Sequence, residues 1–380
     1  MIGGYRENMP CVVHISIARF DSQLPAPGEP LNFLVSIHVE GTGITWQHNV
    51  IVDTSTEIDI QDMTQDLYLW SCNQKLTQET ARACSMKLGA KLYDTFIGIV
   101  GDKILSGLKI TAVLLNVDET VQNLPWELMG KNGEHLSQTL PFGRLVTTRE
   151  ILRPNRDPLT EDKTVRILAV VDTTEDLISG KYELRVLQAL EEKKGGYQIK
   201  VDVLSGENAT IAEFKRMVIP GTYDIIHFSG HGSFDRQTPE TSGLRFYDGV
   251  LEADQILCMN WKSPPYFVFS SACESGRSAG GKRLISNERH SNGLAAAFIA
   301  AGVSGHAGYF WQVSDTGAGV FAQKFYKYLF EEENLGKAFL EARKRTSWDL
   351  DAVGDLAGYG AVLFGDAATS ERLDLVRMGR

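Results

Sequence analysis

The sequence has no apolar run long enough to cross a membrane. Its longest near-apolar stretch, Gly293 to Gly302, falls well short of the roughly 20 residues a spanning helix needs. The first residues, MIGGYRENMP, show no basic region followed by an apolar one, so no secretory signal is visible. Cysteine is scarce: Cys11, Cys72, Cys84, Cys258 and Cys273 are all there are, with no C-x-x-C pair and no Cys/His cluster. An odd count without a signal points to reduced thiols and a cytoplasmic protein, not to a disulfide framework. His14, His38 and His48 stand apart in strand-like sequence and read as ordinary histidines, not metal ligands. Positive charge is also short. Lys and Arg total 38 against 48 Asp and Glu, a net charge of −10, which argues against a nucleic-acid partner and against an anionic membrane surface. There is no 34-residue helical repeat, no G-x-x-x-x-G-K-[ST], and no G-x-G-x-x-G after a first strand. Nothing calls for a metal or an organic cofactor.

What is present is a globular composition, 43% apolar and 23% charged over 380 residues, enough for two or three domains. Residues 1–58 form a β-rich N-terminal element: VVHISIARF, LNFLVSIHVE and NVIVD alternate in strand fashion, and SQLPAPGEP between the first two is turn chemistry. Residues 59–160 are mixed. Ala81, Cys84, Leu88 and Leu92 recur at helical spacing, and LKITAVLLNV and GRLVTTREIL read as strands around LPWELMGKNGEHL. In that middle segment Trp126 and Leu128 are expected in the core, with Pro125 setting a turn. RPNRDPLTED at 153–162 marks a boundary.

From 161 to 380 the pattern turns regular. Strands are predicted at 165–172, 197–205, 223–229, 266–271 and 304–313. Helices are predicted at 182–194, 210–218, 293–301, 316–330 and 335–345. Thr210 and Glu213 make a capping box, and Asp248-Gly249 turns a hairpin. Such alternation implies an α/β fold: a mostly parallel sheet with helices on both faces, whose chemistry collects at the carboxyl ends of the strands.

Three strand ends carry candidate groups: Ser229-Gly230-His231-Gly232, Ser270 to Gly276 around Cys273, and Trp311 to Asp315. In a parallel sheet these ends share one edge, which brings His231 and Cys273 together. A histidine beside a cysteine stabilises the thiolate and can then protonate a leaving amine. The backbone N–H groups of Gly232 and Cys273 could form an oxyanion hole. A lone buried cysteine is usually inert packing, and a lone glycine-flanked histidine usually belongs to a turn. Their conjunction at adjacent strand ends favours chemistry. The two lie 42 residues apart, histidine first, and caspase-type proteases place their histidine upstream by about 50 residues.

HFSGHG followed by FSSACESG resembles the CHAT domain, a branch of the caspase–separase peptidase clan. GLAAAFIAAGVSGHAGYFWQVSD, FAQKFYKYLFEE, LGKAFLEARK and GYGAVLFGD are similar to its later elements, and KLGAKLYDTFI and NLPWELM to its N-terminal part, so the likeness covers about residues 65–366. The resemblance implies a caspase-like fold preceded by a degenerate, non-catalytic caspase-like half. It also implies a cysteine endopeptidase acting on protein substrates. Carried over, Cys273 is the nucleophile, His231 the general base and acid, and Gly232 and Cys273 the oxyanion donors. His227 is a supporting or packing residue. No third catalytic member is evident, so a His–Cys dyad is expected. Asp315 has two readings, a partner for a basic P1 side chain or a helix-terminal carboxylate. Trp311 likewise either walls a substrate subsite or sits in the core. Metacaspases carry an aspartate where this chain has Ala272, which weakens a basic P1 assignment. The glycine-rich, basic segment 277–292 is either an activation loop or an ordinary surface loop. The resemblance also implies a protein activator or sensor, and a setting in bacterial defence, antiviral defence included, or cell death. The competing reading is an inactive caspase-like scaffold.

Overall fold

The structure, a computed structural model, describes residues 10–20, 26, 28–73, 78–105, 107–118, 121–146, 164–191, 198–233, 241–272, 275, 293–332, 334–350 and 356–368. Period-two alternation makes β1 (Pro10–Arg19), β2 (Leu31–Val39) and β3 (Thr45–Val52) an antiparallel meander. Val13, Ile15, Ile17, Phe33, Val35 and Ile37 are buried on one face of it. The helices α1 (Thr54–Asn73), α2 (Gln78–Phe96) and α3 (Gly98–Leu105) supply the facing side chains, among them Ile60, Leu67, Trp70, Leu88 and Leu92. Strand β4 (Lys109–Val117) then runs parallel to β1. The short pair β5 (Gly130–Lys131) and β6 (Glu134–His135) and the single turn α4 (Leu136–Thr139) lead to β7 (Phe142–Leu145), parallel to β4.

Beyond the predicted boundary the order is β8 (Thr164–Val171), α5 (Ile178–Gln188), β9 (Gln198–Ser205), α6 (Ile211–Val218) and β10 (Ile225–Ser229). A small antiparallel sheet follows, β11 (Gly232–Ser233), β12 (Gly243–Phe246) and β13 (Gly249–Glu252), then the helix α7 (Ala253–Leu257). The chain closes through β14 (Phe267–Ser271), α8 (Leu294–Ala300), β15 (Gly305–Tyr309), α9 (Asp315–Glu332), α10 (Leu335–Leu350), α11 (Ala357–Gly360) and β16 (Ala361–Gly365). One eleven-stranded sheet runs through all of this in the order β3-β2-β1-β4-β7-β16-β15-β14-β10-β8-β9. Strands β9, β8, β10, β14 and β15 are mutually parallel and β16 is antiparallel to β15. Helices α5, α9 and α10 cover one face of this part, and α6, α7 and α8 the other. The α/β class and the mostly parallel sheet are as the alternation implies.

Local details differ from the sequence expectation, among them the strand predicted at 304–313, which is β15 over Gly305–Tyr309 alone. Helix α5 starts at Ile178, four residues before the apolar spacing becomes visible. Helix α1 has no counterpart in the sequence reading, although Ile60, Leu67 and Trp70 fall on one buried stripe. Only half of the capping box forms. The Glu213 N–H donates to Thr210 Oγ1 at 3.2 Å, but the Glu213 carboxylate turns to Arg216 and the Thr210 N–H goes to Asn208 O.

A buried ion pair holds the middle of the sheet. Strands β7 and β16 meet at Arg144 and Phe364. Arg144, 1% exposed, grips both carboxylate oxygens of Glu127 and donates to the carbonyls of Gln122 and Leu124 at 2.8 and 3.0 Å. Its guanidinium lies between the rings of Phe310 and Phe364, 5.8 and 5.7 Å from their centroids. Trp126 and Leu128 flank Glu127 and are fully buried, as the LPWEL segment suggests. Arg343 bonds the Ala361 and Phe142 carbonyls nearby. Burial lowers its pKa to about 10 against the opposing pull of Glu127, so it stays charged at neutral pH.

Candidate active site

Strands β10 and β14 are parallel neighbours, and their last residues, Ser229 and Ser271, pair directly. The chain therefore leaves the sheet at one edge and at one level from both strands. His231 follows two residues after Ser229, and Cys273 two residues after Ser271 in sequence. Cys273 itself lies outside the described residues, as do Gly276 and the 277–292 segment. The turn on either side of it is described. Ala272 and Ser275 are buried. The Ser275 hydroxyl lies 2.7 Å from the carbonyls of Ser270 and Ala272 and accepts the Tyr309 N–H at 3.2 Å. That hydroxyl ties the turn to β14 and β15 at once.

The histidine loop is held by its backbone. The Gly230 N–H reaches Ser271 O at 3.3 Å, and the His231 carbonyl accepts the Arg245 N–H at 2.9 Å. A side chain at Gly230 would sit 2.6 Å from the Phe228 ring, so glycine is required there. Gly232 opens β11 and pairs with Leu244. The His231 side chain is 43% exposed, open to a substrate.

The structure adds a carboxylate that sequence reasoning missed. Nε2 of His231 lies 3.0 and 3.2 Å from the two carboxylate oxygens of Asp176. Asp176 is in the loop after β8, which doubles back through two left-handed residues, Asp172 at φ 48° and Glu175 at φ 60°. The Asp172 N–H extends the ladder to Ser229 O, its carboxylate accepts the Leu177 N–H at 3.0 Å, and the Thr173 hydroxyl donates to Arg245 O at 2.6 Å. These bonds aim Asp176 at the imidazole. The Thr174 hydroxyl and then His231 lower its pKa below the usual carboxylate value, so it is ionised at neutral pH. A carboxylate on Nε2 holds the proton there and leaves the lone pair on Nδ1. One signal pointed to this loop: it follows the first strand of the regular half, at the edge where chemistry collects.

Beneath the edge lies a sealed polar layer. His227 is 0% exposed, as expected of the strand-internal histidine, and Glu183 on α5 is 1% exposed. Oε1 of Glu183 accepts the hydroxyls of Ser229 and Ser271 at 2.8 and 3.2 Å. His227 Nε2 sits 2.9 Å from Oε2, within ion-pair range but off the hydrogen-bond line. Its Nδ1 lies 3.0 Å from the Tyr326 hydroxyl. Burial, reinforced by Glu183, pushes the Tyr326 phenol well above its usual pKa, so it is neutral. On the opposite face Ser270 Oγ is 3.0 Å from His306 Nε2, and burial pulls His306 down to about 3.

The two specificity candidates part company. Trp311 is 1% exposed, donates from Nε1 to Leu356 O at 3.3 Å and packs edge-on against Phe310, which is the core placement. Asp315 is exposed at the first residue of α9, just after Ser314, whose hydroxyl caps the Gly317 N–H at 3.0 Å. A carboxylate there favours the helix dipole. Among the described residues no cluster of three His, Cys, Asp or Glu could hold a metal, and no helix is long and apolar enough to cross a membrane.

The sheet order and its paired strand ends define a caspase-like α/β fold. The CHAT domain matches residues 86–352, more than half of the chain, and the chain belongs to that family. Two crystal structures of the Saccharomyces cerevisiae separase–securin complex superpose with TM-scores of 0.55 and 0.53 at 11% identity. Each match covers 93% of this chain and 30% of the other, so the chain spans under a third of the separase chain. The Arg-specific cysteine proteinase gingipain R aligns at 14% identity with a TM-score of 0.49, over 81% of this chain and 74% of that one. At these identities the likeness is one of fold. No curated protein matches the sequence.

Proposed function

We propose that the chain is a cysteine endopeptidase using Cys273 as nucleophile and His231 as general base and acid. The observation that carries this reading is the exposed His231–Asp176 pair, set one strand away from the strand that leads to Cys273. The Cys273 sulfur attacks the peptide carbonyl carbon, forming a C–S bond, while the proton given up by the thiol rests on His231. The charge on the carbonyl oxygen is met by the N–H groups of Gly232 and Cys273. His231 then delivers the proton to the leaving amine as the C–N bond breaks. Water attacks the thioester, gives its proton to His231, and the C–S bond breaks to free the acid. Asp176 keeps the imidazole in one tautomer and steadies the imidazolium. Asp315, exposed at the first residue of α9, keeps both of its readings, a partner for a basic P1 side chain or a carboxylate favouring the helix dipole. Separase was crystallised in complex with the protein securin; for this chain a protein partner that holds or releases activity fits the reading.

The test is cleavage of a diverse peptide library by the wild type and by Cys273→Ala, read by mass spectrometry. Cleavage lost in the variant, with Cys273 alkylating far faster than the other four cysteines, is the expected result. No cleavage by either protein, together with equal alkylation of all five, would sink the reading in favour of a caspase-like scaffold.

A further inference from the structure

The Glu183 carboxylate touches the last residues of the two strands that lead to His231 and Cys273. Its Oε1 takes the hydroxyls of the last residue of β10 and the last residue of β14. Its Oε2 faces His227 within β10, and His227 reaches Tyr326 on α9. Glu183 itself stands on α5, the helix that begins two residues after Asp176. Helices α5 and α9 approach closely enough that a side chain at Gly319 would lie 2.6 Å from the Tyr182 ring, which brings Glu183 and Tyr326 to the same imidazole.

Direct pairing between β10 and β14 ends at Ser229 and Ser271. Beyond that pair the Gly230 N–H makes one long bond to Ser271 O, at 3.3 Å. Paired residues share a face of the sheet, and both serines point to α5. Apolar residues fill this face further back along the strands, Ile225 in β10 and Phe267 and Phe269 in β14. Apolar residues at the two ends would bury as well without asking for a carboxylate. A buried carboxylate is costly unless its lone pairs are met. Here Oε1 is met by hydroxyls from the two strand ends, while Oε2 faces His227 with no hydrogen bond among the described residues, so both bonds to Oε1 form only when those ends hold one separation.

We propose that Glu183 is a positioning residue: it sets the spacing of the two strand ends, and through them the geometry of His231 against Cys273 and Asp176. This rests on the peptidase reading above. A displacement of about 1 Å in such a constellation can cost roughly 100-fold in rate.

The test uses the full chain carrying Glu183→Gln, which keeps the side-chain volume and removes the charge. It is paired with Ser229→Ala and Ser271→Ala, which each remove one hydroxyl. Two properties are read. Hydrogen exchange by mass spectrometry should speed up over 225–233 and 266–275 and stay unchanged in β1 to β4. Alkylation of Cys273 by iodoacetamide at neutral pH should slow by about 10- to 100-fold. Its pH midpoint should move towards that of the exposed Cys258, with little change in melting temperature. Parent-like alkylation profiles in all three variants, or faster exchange spread evenly over the whole chain, would overturn the proposal. If Glu183→Gln does not fold, the two serine variants decide it by the same readouts. If wild-type Cys273 reacts no faster than Cys258, the peptidase reading fails, and the exchange data still judge the clamp on their own.

Discussion

Glu127 and Glu183 are both buried carboxylates packed against one continuous sheet, and they are met in opposite ways. Glu127 faces a guanidinium whose remaining N–H groups go to backbone carbonyls and whose faces are covered by two rings. No exposed group hangs on it. Glu183 faces two hydroxyls and an imidazole, all on strands that lead within a few residues to the exposed edge. A guanidinium gripping both carboxylate oxygens makes a rigid clasp within the core. Hydroxyls and an imidazole make a finer tie, which places the groups that follow it. The same contrast separates two histidines four residues apart: His227 is sealed against a carboxylate, while His231 shares an exposed one.

The clasp is where the comparison breaks hardest. Arg144→Ala strands the buried Glu127 charge and should cost about 3–5 kcal/mol of unfolding free energy in a denaturant titration. The double variant Arg144→Met with Glu127→Leu should recover most of that loss. A cost below about 1 kcal/mol for the single variant would show that the seam holds without its ion pair.

Two further sealed histidines sharpen the contrast, because they have no carboxylate. Burial lowers His135 to about 4 and His306 to about 3, from the usual 6.5. One ring nitrogen of each is buried without a partner among the described residues, so protonation would leave an N–H with nothing to donate to. The unfolded chain takes up these protons as pH falls below about 6.5, while the folded chain refuses them until about 4 and 3. Stability is therefore full above 6.5 and falls with pH below it, by about 1.4 kcal/mol per histidine for each pH unit. His306→Asn and His135→Asn should each flatten that slope in melting curves taken from pH 7 to 4.5. An unchanged slope in both would mean that other groups carry it.

The smallest effect belongs to the exposed pair. Asp176→Ala should leave the melting temperature unchanged and lower kcat about tenfold, with KM moving less. A fall in melting temperature with unchanged kcat would make Asp176 a loop-stabilising residue and leave His231 to work alone.

Much of this was legible in the residues. The regular alternation after 161 announces the parallel sheet, and HFSGHG and the FSSA that opens the second motif sit at neighbouring strand ends in the fold as the chain order suggests. What escaped shares one cause. Asp176 depends on positive φ at Asp172 and Glu175, and neither residue advertises a left-handed turn. Glu183 hides beside Leu184 and Leu187, where a charged residue passes for the solvent side of an amphipathic helix until the packing partners are known. Arg144 reads as an unremarkable charge in a strand, because its partner lies 17 residues earlier in a segment noted for its tryptophan. Patterns of period mark elements, whereas a buried charge is defined by what reaches it from elsewhere in the chain.

Strand β16 is the last described strand of the chain, yet it sits between β7 and β15, in the interior of the sheet. Ala361 and Leu363 enter the core under α9 and α10, and Val362 and Phe364 enter the core built mainly from the first 146 residues. A chain emerging from the ribosome therefore cannot finish either core until residues 361–365 are free. Until then it carries two open sheet edges side by side, each exposing unpaired backbone and apolar surface. The keystone is the last of the described strands to be made, so the two halves of the sheet stay unjoined until it is in place.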